Sequence, residues 1–413
     1  MEFRVPIVVA AVLGLGVSPA MAGEVAVTFL QAADAASASP KVREGERAQR
    51  SLEAASQSAP RLDANPVVTI GLGPRLSPAP SRQLEGTVGL SQAVSLEGAA
   101  RLRRKALAAE ARTQAASTLV TRVALRMAAS RAWLDLWAAQ QQLTLARQEH
   151  EVVKRAQRAV DLLVGAHERT SADALVAQRQ TEEAALRVLA AEGALVDAQA
   201  QLGSELGLGA DDTPVASGEP ADVLPPSDSE QRAALASVEQ MPSVQVARLL
   251  AAEERLRGAE EHAGRSGWLT VGVEARRDVD GLGVLGTLTL PLPLQRVGLR
   301  EQASRQAAAT RAEGEAQDAT RRGRRELVLA FHEVDHTDEI ARSLDERVVP
   351  VAEKAVAALD RAFSAGEVTL LERIDGQRSL LDARSRRLAA LRDRAWARVR
   401  ASVLVDSIRR RQP

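Results

Sequence analysis

The 413-residue chain contains no cysteine and no tyrosine. Disulfides, thiolate metal sites and a lipid-modified N-terminal cysteine are therefore excluded. Aromatic residues make up only 2%, too few for a surface of stacking rings interleaved with basic side chains, so nucleic acid is not an expected partner. Charge of one sign is also missing: 54 Lys and Arg stand against 54 Asp and Glu, and no overall field favours a polyanion. Past the first two dozen residues, no apolar run approaches the roughly 20 residues that a membrane-spanning helix needs. What is present is alanine and leucine, which dominate a 45% apolar fraction, together with 26% charged residues. That mixture reads as long helices packed through small side chains.

Residues 1–22 read as a secretory signal peptide. Arg4 gives a short basic start, Val5 to Val17 is an apolar run interrupted by Pro6, and Ala20-Met21-Ala22 fits the small-x-small cleavage rule, placing a mature start near Gly23.

The rest of the chain states itself twice. Val68-Thr69-Ile70-Gly71 returns as Leu269-Thr270-Val271-Gly272, and Gly86-Thr87-Val88-Gly89-Leu90 with Gly98 returns as Gly286-Thr287-Leu288-Thr289-Leu290 with Gly298. Pro40-Lys41-Val42 returns as Pro242-Ser243-Val244, and Thr170-Ser171-Ala172-Asp173 as Thr369-Leu370-Leu371-Glu372. The offset stays near 200 residues, far beyond the roughly 20–50 of a solenoid repeat. An internal two-fold repeat follows, with residues 23–206 as the first structural repeat, 207–228 as a Gly-, Pro-, Asp- and Ser-rich linker, 229–408 as the second repeat and 409–413 as a polar tail.

Each half has the same plan. A short helix is expected over Thr28 to Ala36 and again over Ser229 to Val238; a medium helix follows over Lys41 to Ala59 and Ser243 to Ala263. Two strand-like runs come next, with period-two alternation and turn residues between them: Val67 to Gly73 and Leu84 to Val94 (strand pair 67–94), then Trp268 to Ala275 and Val284 to Leu294 (strand pair 268–294). A very long helix follows, Ala99 to about Val164 and Leu299 to about Phe363, and then a second long one, Ser171 to Leu206 and Leu370 to Ile408. These make helical hairpins over 99–206 and 299–408. At about 1.5 Å per residue the first helix of each pair would reach roughly 100 Å, too long for a compact globule. Leu119, Val123, Leu125, Trp133, Leu136 and Leu143, with polar residues between, fit antiparallel coiled-coil packing. Trp133, Trp137 and Trp396 read as packing residues.

Each hairpin reverses at a defined tip. Thr170 with Asp173, and Thr369 with Glu372, place a hydroxyl at the helix cap and a carboxylate three residues on. Gly165 and Gly366 lie just before, where a tight reversal needs permissive backbone. His167 holds the position that Gly366 holds in the second half.

Four strands of about 7–11 residues have the length of tilted transmembrane strands. Four cannot close a barrel, since bacterial barrels start at about eight strands, and an open sheet in lipid leaves unsatisfied edges. Three copies would supply twelve strands. The expected fold class is therefore mainly α with a small β part: long antiparallel coiled-coil hairpins plus a four-stranded contribution to a trimeric transmembrane β-barrel.

The residues also carry a family resemblance. Asn65-Pro66 precedes the first strand, and Leu90-Ser91-Gln92-Ala93-Val94-Ser95-Leu96-Glu97-Gly98 runs into a helix with Arg101 and Arg103-Arg104. Leu290-Pro291-Leu292-Pro293-Leu294 is followed by Gly298, and the tip carries Gly366, Thr369 and Glu372 in a Gly-x-x-Thr-x-x-acid pattern. Over nearly all of the mature chain this resembles the TolC family of outer-membrane efflux ducts, and around Glu97-Gly98 its heavy-metal branch, which serves cobalt–zinc–cadmium or copper–silver pumps. The resemblance implies a homotrimer in outer-membrane lipid, extending into the periplasm of a Gram-negative cell. It also implies a periplasmic adaptor, an inner-membrane pump of the RND type, and passive export without enzymatic activity or cofactor. Heavy-metal cations are the cargo that the branch implies; drug, solvent or type I secretion ducts share the fold. The chain departs from the family in its Gly-rich strands, which hold a single aromatic, Trp268.

In that family, acids at the positions of Glu372 and Asp375 ring the periplasmic entrance, where carboxylates would attract cations. The bland alternative makes Glu372 a cap and Asp375 a solvated acid. Phe363, Gly366 and Thr369 in one tip, with Val164, Thr170 and Asp173 in the other, are candidates for adaptor docking and gate contact, or simple hairpin chemistry. His332-Glu333-Val334-Asp335-His336 satisfies the HExxH pattern of zinc metalloproteases, with two His one turn apart and a Glu as general base. It lies inside a long helix, no third ligand follows at a recognised spacing, and its repeat partner Trp133-Leu134-Asp135-Leu136-Trp137 has none of the chemistry, so a solvated face is the expectation. A soluble periplasmic coiled-coil scaffold is the remaining alternative. His150, His167 and His262 read as surface residues.

Overall fold

The structure is a computed structural model that describes residues 23–60, 64–75, 83–95, 98–209, 211–220, 223–265, 268–278, 281–290 and 299–409. The expected signal peptide, the Ser77-Pro78-Ala79-Pro80 turn, Leu96-Glu97, the run from Pro291 to Gly298 and the tail from residue 410 lie outside the described residues.

The chain is mainly helical. Helices α1 (Phe29–Ala35) and α2 (Pro40–Ser58) precede strands β2 (Val67–Arg75) and β3 (Gln83–Ser95), then α3 (Ala99–Gly165) and α4 (Ser171–Leu206). The order recurs as α5 (Asp228–Ala236), α6 (Pro242–Arg265), β5 (Trp268–Asp278), β6 (Gly281–Thr289), α7 (Leu299–Ser343), α8 (Val349–Ser364) and α9 (Leu370–Arg409). The strand expected to reach Leu294 ends at Thr289. Two differences matter more. The helix expected over Leu299 to Phe363 is interrupted by a π-helical turn at Leu344–Val348. Pro350 explains it: proline lacks an N–H, and its ring clashes with the carbonyl four residues back, at Glu346. The second difference is a pair of short strands, β1 (Glu24–Thr28) and β4 (Thr213–Ser217), where the sequence suggested none; β4 lies within the segment expected to be loop. They pair in parallel, Val27 opposite Ala216.

Contacts divide the chain into two compact units. The first holds residues up to 32, 129–221 and 349–392. Here Trp133 is fully buried; its indole N–H donates to the Val27 carbonyl at 2.8 Å, and its ring meets Phe29 edge-on at 5.4 Å. Leu143 and Ala146 of α3 pack on Ala191 of α4, flanked by Val188 and Leu195. Alanine at these seams lets the helices approach closely. The Glu149 carboxylate accepts two bonds from the Arg187 guanidinium, at 2.8 and 3.0 Å, and lies 3.9 Å from Arg378, tying α3, α4 and α9 together.

The second unit holds residues 33–128, 222–348 and those from 393 onward. Its core joins α5, α6, α7 and the end of α9 around Val238, Met241, Val244, Leu327, Phe331, Leu404 and Ile408. Each large side chain buried there contributes about 1.5–3 kcal/mol. The sheet of this unit runs β2-β3-β5-β6, antiparallel throughout.

Candidate functional site

In the sheet, alternation and register act together. Successive side chains of a strand point to opposite faces. Val68, Ile70 and Leu72 of β2 stand opposite Leu90, Val88 and Gly86 of β3. Leu90 and Val88 stand opposite Val273 and Ala275 of β5, and Ala275 and Val271 opposite Val284 and Leu288 of β6. Between Gln92 towards one end and Arg277 towards the other, this face of the four strands is thus a continuous apolar surface, and it is exposed: Leu72 is 81% accessible, Ile70 68% and Leu288 70%.

The opposite face carries Thr69, Gly71, Glu85, Thr87, Gly89, Ser91, Gly272, Glu274, Arg276 and Thr287, with Val67, Ala93, Trp268 and Leu285 as apolar exceptions. Arg276 reaches across to Glu85 at 3.1 Å. Two glycines on this face do the same job in the two strand pairs. Gly71 faces Thr87 and Gly272 faces Thr287; a Cβ on either glycine would lie 2.6 Å from the threonine hydroxyl. The outer edges, β2 and β6, pair on one side only among the described residues.

The hairpin tips lie in the other unit. Both helix starts carry reciprocal caps. At α4, the Thr170 N–H and hydroxyl donate to Asp173 Oδ2 at 3.0 and 2.9 Å, and the Asp173 N–H returns a bond to Thr170 Oγ1 at 3.3 Å. At α9, the Thr369 N–H and hydroxyl donate to Glu372 Oε2 at 2.7 and 2.8 Å, and the Glu372 N–H donates to Thr369 Oγ1 at 3.3 Å. The threonine backbone N–H, and after it the hydroxyl, hold both carboxyls below their ordinary values. Just before each cap the backbone turns left-handed, at His167 (φ 63°) and Gly366 (φ 76°). The correspondence read from the sequence is therefore conformational, with a histidine tolerating a position that glycine takes freely.

The tips share one apolar cluster, in which Val160 of α3, Ala177 of α4, and Leu370 and Ile374 of α9 are buried and Phe363 packs alongside. Val164 packs there too. Thr170, Gly366, Thr369, Glu372 and Asp375 are exposed, while Asp173 and Phe363 are half-buried. Glu372 is engaged by its cap. Asp375, one turn on along the same exposed side of α9, makes no such bond. Sequence reading missed the residue that locks the α8–α9 tip: Arg373 donates from Nε to Asp360 at 2.6 Å and lies over the Phe363 ring at 5.1 Å. Its partner is 13 positions back across a turn, so no local spacing announces it.

The HExxH segment lies on α7. His332 and His336 are exposed, and their rings stack at 6.0 Å. Glu333, the general base of that pattern, is taken by Arg400 at 2.8 Å. Among the described residues no group of three His, Cys, Asp or Glu is arranged to hold a metal, and no helix is long and apolar enough to cross a membrane.

No protein-family model matches the chain. Over 130 residues it is 33% identical to the cobalt-zinc-cadmium resistance protein CzcC of Cupriavidus metallidurans, a match spanning 30% of this chain and only 30% of that protein. Solved structures match over almost the full length. CusC, described as forming a transmembrane channel, has a TM-score of 0.69 at 14% identity, covering 91% of each chain. The outer-membrane channel OprN has a TM-score of 0.69 at 17% identity, covering 91% of this chain and 89% of its own. The outer membrane protein VceC of Vibrio cholerae has 0.67 at 15%, covering 92% and 95%. The chain has the fold of these TolC-type outer-membrane channels, as the resemblance read from its residues implied.

Proposed function

We propose that the chain is one subunit of a homotrimeric outer-membrane duct that exports cargo passively across the periplasm and outer membrane. The observation that carries this reading is the sheet: one face largely apolar and exposed across four strands, the other largely polar, with β2 and β6 pairing on one side only among the described residues. A surface of this kind facing water would be an aggregation site. In lipid, with two more copies, the apolar face meets acyl chains and the edges pair into a closed twelve-stranded barrel.

The two halves, 23–206 and 229–408, joined through 207–228, are best explained as a duplicated block, each giving one strand pair and one helical hairpin. The tips, with Phe363, Gly366, Thr369 and Thr170, would meet the periplasmic adaptor, and Asp375, with Glu372 and Asp173 nearby, would ring the entrance. Energy comes from an inner-membrane pump, of the RND type by analogy with the family, and the duct itself performs no chemistry. Heavy-metal cations are the proposed cargo, supported by the likeness to CzcC; export of drugs, solvents or secreted proteins by the same fold is the alternative that a transport assay would separate.

The chain lacks cysteine, so single cysteines report their own surroundings. With Val273→Cys, a bilayer-embedded quencher should suppress an attached fluorophore. With Glu274→Cys, one residue along, an aqueous thiol reagent should label and the lipid quencher should not. Equal aqueous labelling of both would reject the barrel and favour a soluble scaffold.

A further inference from the structure

We propose that His332 and His336 form a two-histidine chelate for a divalent first-row transition cation on the exposed face of α7. The duct reading leaves this pair unused, and the inference does not depend on that reading.

Residues four apart on a helix share a face, and two histidines at this spacing are the helix-borne metal grip of the zinc hydrolases. Here the grip is present and the catalytic part is not. Glu333 and Asp338 turn toward α9, held by Arg400 at 2.8 Å and by Arg398 at 2.9 Å. Those two ion pairs fix which side of α7 faces α9 and leave His332 and His336 on the solvent side. The rings lie 14° from parallel with centroids 6.0 Å apart. Imidazole nitrogens bind zinc at about 2.0–2.1 Å, so the two exposed rings must rotate toward each other to clamp an ion, and nothing packed on them opposes this. Asp335 follows His332 by three residues and Glu339 follows His336 by three, and both are exposed. No ion pair engages either among the described residues. They put negative charge on the same stripe, which draws a cation to the two histidines without completing a three-ligand site. Imidazole with carboxylate suits copper, nickel and zinc far better than magnesium. The remaining positions would hold water, and with Glu333, the general base of the pattern, engaged by Arg400, the pair is a binding site and not a hydrolase.

The test is calorimetric titration of the full, tag-free chain in detergent with copper(II), zinc(II) or magnesium chloride, one at a time. The expected result is one site per chain, tighter for copper than for zinc, with no response to magnesium. His336→Asn and His332→Asn should each weaken zinc binding about a hundredfold, as two linked donors exceed one by that order; Asp335→Asn should weaken it severalfold. His167→Asn should change nothing, because His167 lies at the tip. Titration of the His332→Asn/His336→Asn double variant indistinguishable from that of the parent chain would overturn the proposal. So would a magnesium response equal to that of zinc, which would mark general attraction to surface carboxylates.

Discussion

The indole N–H of Trp133 donates to the carbonyl of Val27 at 2.8 Å, so the most buried aromatic of the long hairpin is also the anchor of a strand more than a hundred residues before it. Two effects meet at this side chain: burial of the whole ring and one hydrogen bond. Trp133→Phe strips the Val27 carbonyl of its donor and shrinks the ring, and should lose about 1–3 kcal/mol; Trp133→Ala should lose about 3–5 kcal/mol, the range for emptying a large aromatic site. Denaturant unfolding of the two variants checks the order and the gap.

The Gly–Thr pairs of the sheet give an asymmetric prediction. A Cβ at Gly71 would meet only the Thr87 side chain, whereas a Cβ at Gly272 would also come within 3.1 Å of the Leu90 carbonyl oxygen and of Ser91 Cβ. A rotamer change relieves the first; the second requires the β3–β5 ladder to shift, a penalty of about 1–3 kcal/mol typical of overpacking. Gly71→Ala should therefore cost little by itself, while Gly272→Ala should be destabilised and Thr287→Ala should fail to rescue it. The yield of heat-modifiable folded protein on cold gels reads both.

At the tips, stability should depend on pH with a definite sign. Asp173 and Glu372 have carboxyls held below their ordinary values by the threonine N–H and hydroxyl. A depressed carboxyl stabilises the folded turn above its unfolded value, and that contribution is lost as pH falls through the lower folded one. Protection of the first turn of α9 should thus be complete above the ordinary glutamate value of 4.5 and decline below it. Hydrogen exchange, corrected for intrinsic rates, should show the decline in the parent chain and in Asp375→Asn, and a much flatter profile in Glu372→Gln.

The gate proposal separates Asp375 from Glu372. Glu372 has both a cap to satisfy and a charge; Asp375 has the charge alone. Asp375→Asn should lower cation over anion permeability of the reconstituted trimer severalfold while leaving tip protection intact. Unchanged selectivity would make Asp375 an ordinary surface acid.

Legibility in the sequence followed the range of the interaction. Strands β2, β3, β5 and β6 and the long helices were readable because alternation and helical periodicity are local. The caps at Thr170 and Thr369 were readable because donor and acceptor lie three residues apart. The pair β1–β4 was not, since five-residue strands almost two hundred positions apart carry no local sign of parallel partnership. The π turn was written in Pro350 but masked by an otherwise continuous helical pattern. Arg373 with Asp360, and Glu149 with Arg187 and Arg378, needed the hairpins folded before their charges could meet. The HExxH string illustrates the converse: its spacing was real, but only the structure shows Arg400 occupying Glu333.

The proposed duct requires the four strands to be a third of a closed wall. Native mass spectrometry of the full chain, extracted from outer membranes in mild detergent, tests this most directly. It should record a mass of three chains that persists until the apolar sheet is unfolded. A stable single-chain mass, with β2 and β6 freely exchanging amide hydrogens in that same detergent, would contradict it.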